Sequence, residues 1–197
     1  MGMGLDKNNT AAYLLLARIQ TETGKVDQAI ATYQDYMQRN PRDVMPYLAI
    51  GALEESRNNR AGARKMYERA LTIDPDSAAA NNNLAYLMLE NGENVDQAIT
   101  MAQLAMRKMP DSPNVADTLG YAYFKKGVYS SAVDTLEQAS KKDPNSASIH
   151  YHLGLAYSKM NNSAKAREQF QRAAQLDPQG ADETAAKKEL ESLGGKG

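Results

Sequence analysis

Five prolines set the frame for this chain. Pro41, Pro75, Pro110, Pro144 and Pro178 follow one another at intervals of 34, 35, 34 and 34 residues, each closing a polar or acidic stretch. A fixed period of this length is the mark of an architecture that stacks one small unit many times. The segments Leu119–Pro144 and Leu153–Pro178 make the repetition explicit, with nine of 26 positions identical. One further step back from Pro41 lands on Lys7. Asp6-Lys7-Asn8-Asn9 therefore reads as the end of a preceding unit, and the doubled Met-Gly at residues 1–4 as an engineered remnant. The register predicts that this chain is the tail of a longer array.

Aligned on the prolines, the units are 10–43, 44–77, 78–112, 113–146 and 147–180. Each holds two amphipathic helical patterns separated by a polar turn. In the fourth unit Ala116, Leu119, Gly120 and Tyr123 fall at i, i+3, i+4, i+7, and the second helix carries Ala132, Leu136 and Ala139. The closing Pro ends the unit because it lacks an amide hydrogen and disfavours helix at the residue before it. Composition agrees: only 7 of 197 residues are Pro, and 42% are hydrophobic, enough for a core.

Small residues recur where the two helices of a unit must cross closely. Ala29, Ala63, Ala98, Ala132 and Ala166 do so on the second helix, and Ala17, Gly51, Ala85, Gly120 and Gly154 on the first. Opposite them stand Tyr33, Tyr67, Leu136 and Phe170, expected to fill the gap between neighbouring units. The third unit has Ala102 there and one extra residue in its turn, ENGENVDQ, and is expected to be thinner and slightly kinked. After Pro178, Ala186, Leu190 and Leu193 predict a capping helix over 181–193, with Glu183, Lys187, Lys188 and Glu191 facing water. Residues 194–197 read as a flexible tail.

This pattern resembles the tetratricopeptide repeat family. The matching positions are Leu119, Gly120, Tyr123, Gly127, Ala132, Leu136, Ala139 and Pro144 in the fourth unit. The fifth supplies Leu153, Gly154, Tyr157, Ala166, Phe170, Ala173 and Pro178. The family's Trp is replaced by Tyr13, Tyr47, Asn81, Ala116 and His150. The resemblance covers residues 10–180 and implies an all-α, right-handed α-solenoid of five helix-turn-helix units plus the C-terminal capping helix. Its style is similar to bacterial multi-repeat proteins, some tied to envelope assembly or polysaccharide export.

The resemblance also implies a concave face lined by first helices that binds a peptide or protein segment. The candidate groove residues are Asn82, Asn83, Tyr86, Asp117, Tyr121, Phe124, Lys125, Tyr151 and His152. Their four aromatic rings offer contact area at low entropic cost, and the Asn amides can both donate to and accept from a backbone. Asp117 points to a partner that is neutral or partly basic. The Lys and Asn set with which some family members hold acidic C-termini is not found in any three consecutive units.

No catalytic site is legible. The chain has no Cys and two His. His150 and His152, two apart on a helix, point to nearly opposite sides and cannot share a metal; His150 falls at a packing position and His152 on the groove. No phosphate-binding, nucleophile-elbow or metalloprotease motif occurs, and no cofactor is implied. A net charge of −1 gives no electrostatic reason to hold nucleic acid, and no apolar run is long enough to span a membrane. Arg57, Arg60, Arg64, Lys65 and Arg69 form a basic cluster, read as a solvated face or a dock for an acidic partner. The expectation is a non-catalytic protein-binding module, at home in cytosol or periplasm. The alternatives are a scaffold that self-associates through an uncapped N-terminal face, and the docking arm of a longer enzyme.

Overall fold

The computed structural model describes residues 10–178 and 180–194, and every regular element among them is an α-helix. Expectations placed on residues 1–9 and 195–197 lie outside the described residues. The chain divides into two bodies, Met1–Leu84 and Ala85–Gly197. The first contains α1 (Thr10–Glu22), α2 (Val26–Arg39), α3 (Met45–Ser56), α4 (Arg60–Ile73) and the beginning of α5 (Ala78–Glu90). The second contains the rest of α5 with α6 (Val95–Lys108), α7 (Pro113–Lys126), α8 (Tyr129–Lys142), α9 (Ala147–Lys159), α10 (Ser163–Leu176) and α11 (Ala181–Gly194). Odd-numbered helices up to α9 are the first helices of the repeats. No described helix is long and apolar enough to cross a membrane.

The turn inside each repeat is set by one left-handed residue. Gly24, Asn58, Gly92, Gly127 and Asn161 all have φ between 59° and 84°, and they sit one repeat apart. Only Gly and, at some cost, Asn adopt that conformation readily. It lets the next amide reach back to the helix just ended: Val128 N–H donates to the Tyr123 carbonyl at 2.9 Å and Asn162 N–H to Tyr157 at 3.0 Å. The following helix then starts on a side-chain cap in three repeats, where Asn59, Asn94 and Asn162 accept from the third amide of α4, α6 and α10. The extra residue of the third repeat is Glu93, inserted between Gly92 and the Asn94 cap.

Packing inside a repeat follows the small residues. Leu136 and Phe170 cover the glycine of their own repeat and also join the core that runs on into the next element, with Leu153 of the fifth repeat and Ala186 of α11. A Cβ on Gly120 would lie 2.5 Å from Leu136 Cγ, and one on Gly154 2.6 Å from the Phe170 ring. Tyr67 covers Gly51 in the same way. The third repeat replaces this wedge by Ala85 and Ala102, both fully buried.

In the first body Ala17, Ala29, Ile30 and Tyr33 pack with Ile50 and Leu53 of the next repeat. In the second, Leu136, Leu153, Tyr157 and Phe170 form one core that Ala186, Leu190 and Leu193 of α11 close. Lys187 and Lys188 are exposed there, whereas Glu183 is half-buried and pairs with Lys187.

Candidate functional site

Along α5, α7 and α9 the second body carries a run of rings. Tyr121 is its centre, stacked on His152 with centroids 4.0 Å apart and planes 15° from parallel. Phe124 stacks on Tyr121 at 6.1 Å, and Tyr86 meets both Tyr121 and His152 at 6.1 and 6.3 Å. Tyr151 continues the run to His152 at 5.8 Å and to Phe170 at 6.0 Å. Offset and tilted pairs at such distances are the arrangements aromatic quadrupoles favour.

Hydrogen bonds fix this floor from beneath. Tyr121 donates its hydroxyl proton to Glu90 Oε1 at 2.9 Å. Burial first, and then the nearby Glu90 charge, hold that phenol far above its ordinary pKa, so it remains a neutral donor. His152 Nδ1 lies 2.8 Å from Asp117 Oδ1, and Ser148 donates to Asp117 Oδ2 at 3.2 Å. A carboxylate this deep is stable only when its lone pairs are taken up, and here an imidazole and a hydroxyl take them. The Lys125 ammonium, exposed, lies 4.9 Å from the Tyr121 ring centroid, within cation–π range.

The expected groove residues thus divide into two layers. Asp117, Tyr121 and His152 are 6%, 6% and 3% exposed and form a packed floor, not an open surface. Reading His152 as a groove-facing side chain is corrected accordingly. Tyr86, Phe124 and Tyr151 are half-buried and Lys125 is exposed, so these four meet solvent. Asn82 and Asn83 belong to the first body. Both are half-buried; the Asn82 amide donates to Asn83 Oδ1 at 3.3 Å, and the Asn83 amide bonds the Tyr67 hydroxyl.

Other polar residues prove to be structural. His150 Nδ1 is 2.6 Å from Gln169 Oε1 and Nε2 is 3.1 Å from the Pro144 carbonyl. Asn81, at the same repeat position two units earlier, donates to the Pro75 and Ser77 carbonyls at 3.0 Å. Where that position is Ala116, Lys142 reaches the Pro110 carbonyl instead, at 3.0 Å. The family's Trp position is thus used by His150 and Asn81 to satisfy the closing proline's carbonyl, a role the sequence reading missed. The basic cluster is partly neutralised, with Arg57 on Asp27 at 2.8 Å and Arg64 on Glu68 at 3.3 Å. Among the described residues no three of His, Cys, Asp and Glu gather as metal ligands would.

Comparison with known proteins places this geometry. Profiles described as tetratricopeptide or TPR repeats match residues 3–53, 52–120, 120–161 and 147–179. A TPR repeat-containing protein of Pseudomonas aeruginosa, PA4667, is 25% identical over 126 residues, 64% of this chain and 21% of that protein. The general transcriptional corepressor trfA of Dictyostelium discoideum is 24% identical over 63% of this chain and 9% of its own length. The chain thus spans well under a quarter of these curated relatives. Among solved structures, YrrB, described as a TPR protein with an unusual peptide-binding site, superposes with a TM-score of 0.64 at 19% identity, covering 93% of this chain and 94% of that one.

Proposed function

Because the chain belongs to the tetratricopeptide repeat family, we propose that it is a non-catalytic interaction module that holds a segment of a partner protein against its first helices. The observation that carries this reading is the two-layered aromatic run of α5, α7 and α9. A buried floor of Tyr121, His152 and Asp117 fixes the half-buried Tyr86, Phe124 and Tyr151 in place. Rings held rigid before binding lose little entropy when a partner docks, which is how aromatic anchors come to dominate interfaces. YrrB, similar in fold, is described as binding peptide.

The chemistry of the partner follows from what the upper layer presents. Asp117 is buried against His152, so the charges that meet solvent beside the rings are those of exposed Glu90 and Lys125. One charge of each sign beside three rings suits a near-neutral segment with apolar side chains. A photo-crosslinking amino acid at Phe124 should capture the partner, whereas the same group at Arg64 on α4 should not. Capture from Arg64 alone would move the site to the second helices.

A second reading, as a self-associating scaffold, rests on α1. Leu15 and Ile19 are 60% and 47% exposed, although the register mates of Ile19, namely Leu53, Leu87, Ala122 and Ala156, are all buried. A helix of another copy could cover them. Sedimentation velocity would then show a concentration-dependent dimer that Leu15→Glu/Ile19→Glu abolishes, and a monomer at all concentrations would remove this reading.

A further inference from the structure

The seam between successive repeats is built the same way inside each body. In the first, Ile30 and Tyr33 of α2 share one core with Ile50 and Leu53 of α3. In the second, Val133 and Leu136 of α8 share one with Leu153 and Ala156 of α9. Counted along the repeat these are the same four positions, three repeats apart. A polar pair lies beside them. Gln103 of α6 donates to the Tyr123 hydroxyl of α7 at 3.2 Å, and Tyr157 of α9 donates to Glu137 of α8. Every second helix carries Gln or Glu at that place: Gln34, Glu68, Gln103, Glu137 and Gln171.

Helix α1 presents the first-helix half of this seam. Leu16 and Ile19 hold the positions of Ile50 and Leu53, and of Leu153 and Ala156. Those four residues are at most 7% exposed, whereas Leu16 is half-buried and Ile19 is 47% exposed. Gln20 holds the position of Tyr123 and Tyr157. Its Oε1 accepts from the Thr32 hydroxyl at 2.8 Å, which leaves its amide nitrogen to donate. Thr23 holds the position of Arg57 and Lys126, which pair with Asp27 and Asp96 of the preceding second helices at 2.8 and 2.7 Å. Being uncharged, Thr23 calls for no such acid.

We propose that this face of α1 docks an amphipathic helix of a partner protein, seated as a second helix seats on the first helix of the next repeat. The helix carries large apolar residues at i and i+3, Gln or Glu at i+4, and no acid at i−3. In this chain α8 has that form, with Val133, Leu136, Glu137 and Ser130. The second helices of another copy do not supply it, because α2 is spent on α3, α8 on α9, and α10 is closed by α11. The surface uses none of the residues of the aromatic run.

The probe is α8 itself, as a peptide of residues 128–143. A hydrocarbon staple between positions 134 and 138, both exposed in the fold, keeps it helical. Titrated into the full 15N-labelled chain, it should shift and saturate the amides of Leu16, Ile19 and Gln20. Ile19→Glu in the chain should weaken it by at least about tenfold, with helicity unchanged because position 19 faces solvent. A peptide with Val133→Asp/Leu136→Asp should not bind. Still amides on α1, shifts confined to α9, or equal binding by the substituted peptide would overturn the proposal. So would a dimer, seen without peptide in sedimentation velocity, that Leu15→Glu/Ile19→Glu abolishes, since a second copy would then own the face. Crosslinking from position 124 reads the aromatic run separately. Its failure leaves the α1 face standing, and failure of the peptide leaves the aromatic run standing.

Discussion

Ala52 in the first body and Tyr121 in the second hold the same place in the repeat, yet Ala52 borders an open cavity and Tyr121 is a buried ring stacked on His152. The surrounding framework is common to both: a Gly before each, a large second-helix residue over that Gly, and a left-handed residue at the turn. The difference teaches that the framework residues and the inner-face residues vary independently. A repeat keeps its fold through Gly51–Tyr67 or Gly120–Leu136, and is free to place alanine, tyrosine or leucine at the next position.

The sharpest way to break that comparison is to make the second body resemble the first. Tyr121→Ala should cost about 4 kcal/mol, as truncation of a buried aromatic ring does, measured by urea denaturation. Added p-cresol should restore part of the loss, because the cavity so made has the shape of the missing side chain. Ala52→Gly, its counterpart, should cost no more than about 1 kcal/mol, the helix-propensity difference alone. Equal losses in the two bodies would mean that the ring is not a structural part of the second.

His152→Leu comes next, at about 3 kcal/mol, since it strands the Asp117 carboxylate in a buried site. Replacing both, as Asp117→Leu/His152→Leu, should recover much of that. A double variant as unstable as the sum of the singles would show that the pair is not coupled.

Smaller effects test the shared framework. Gly127→Ala forces a side chain into φ 84° and should cost about 1–2 kcal/mol, whereas Asn58→Gly in the first body should be neutral or slightly stabilising. Both are read from thermal midpoints. The smallest expected effect is alkaline. Tyr36 donates to Asp43 Oδ2 at 2.6 Å, and chiefly that hydrogen bond pushes its phenol up to about 12. A raised folded pKa means that the contact stabilises fully below the ordinary phenol pKa near 10 and loses its contribution as pH climbs from there through 12. Tyr36→Phe should flatten that part of the pH profile, followed by circular dichroism.

The helical repeat was legible because its signals are periodic: the prolines, the small residues and the apolar spacing return in step, so each position is read five times. The floor of the candidate site was not. Asp117 and His152 lie 35 residues apart, one residue out of step with the repeat that joins Asp117 to Tyr151. Their pairing depends on how two first helices lie side by side, which no single helix pattern encodes. The inner-face position itself left a trace, an alanine at 52 where later repeats have Tyr86, Tyr121 and Leu155. So did the turn: Gly or Asn recurs at 24, 58, 92, 127 and 161, and left-handed geometry gives the reason.

The central claim is that partners are held on first helices while second helices serve as frame. Peptides selected for binding to this chain, followed by hydrogen exchange with and without the selected peptide, test it most directly. The account predicts slowed exchange on α5, α7 and α9, with α4, α8 and α10 unchanged. Protection confined to α4, α8 and α10 would contradict it.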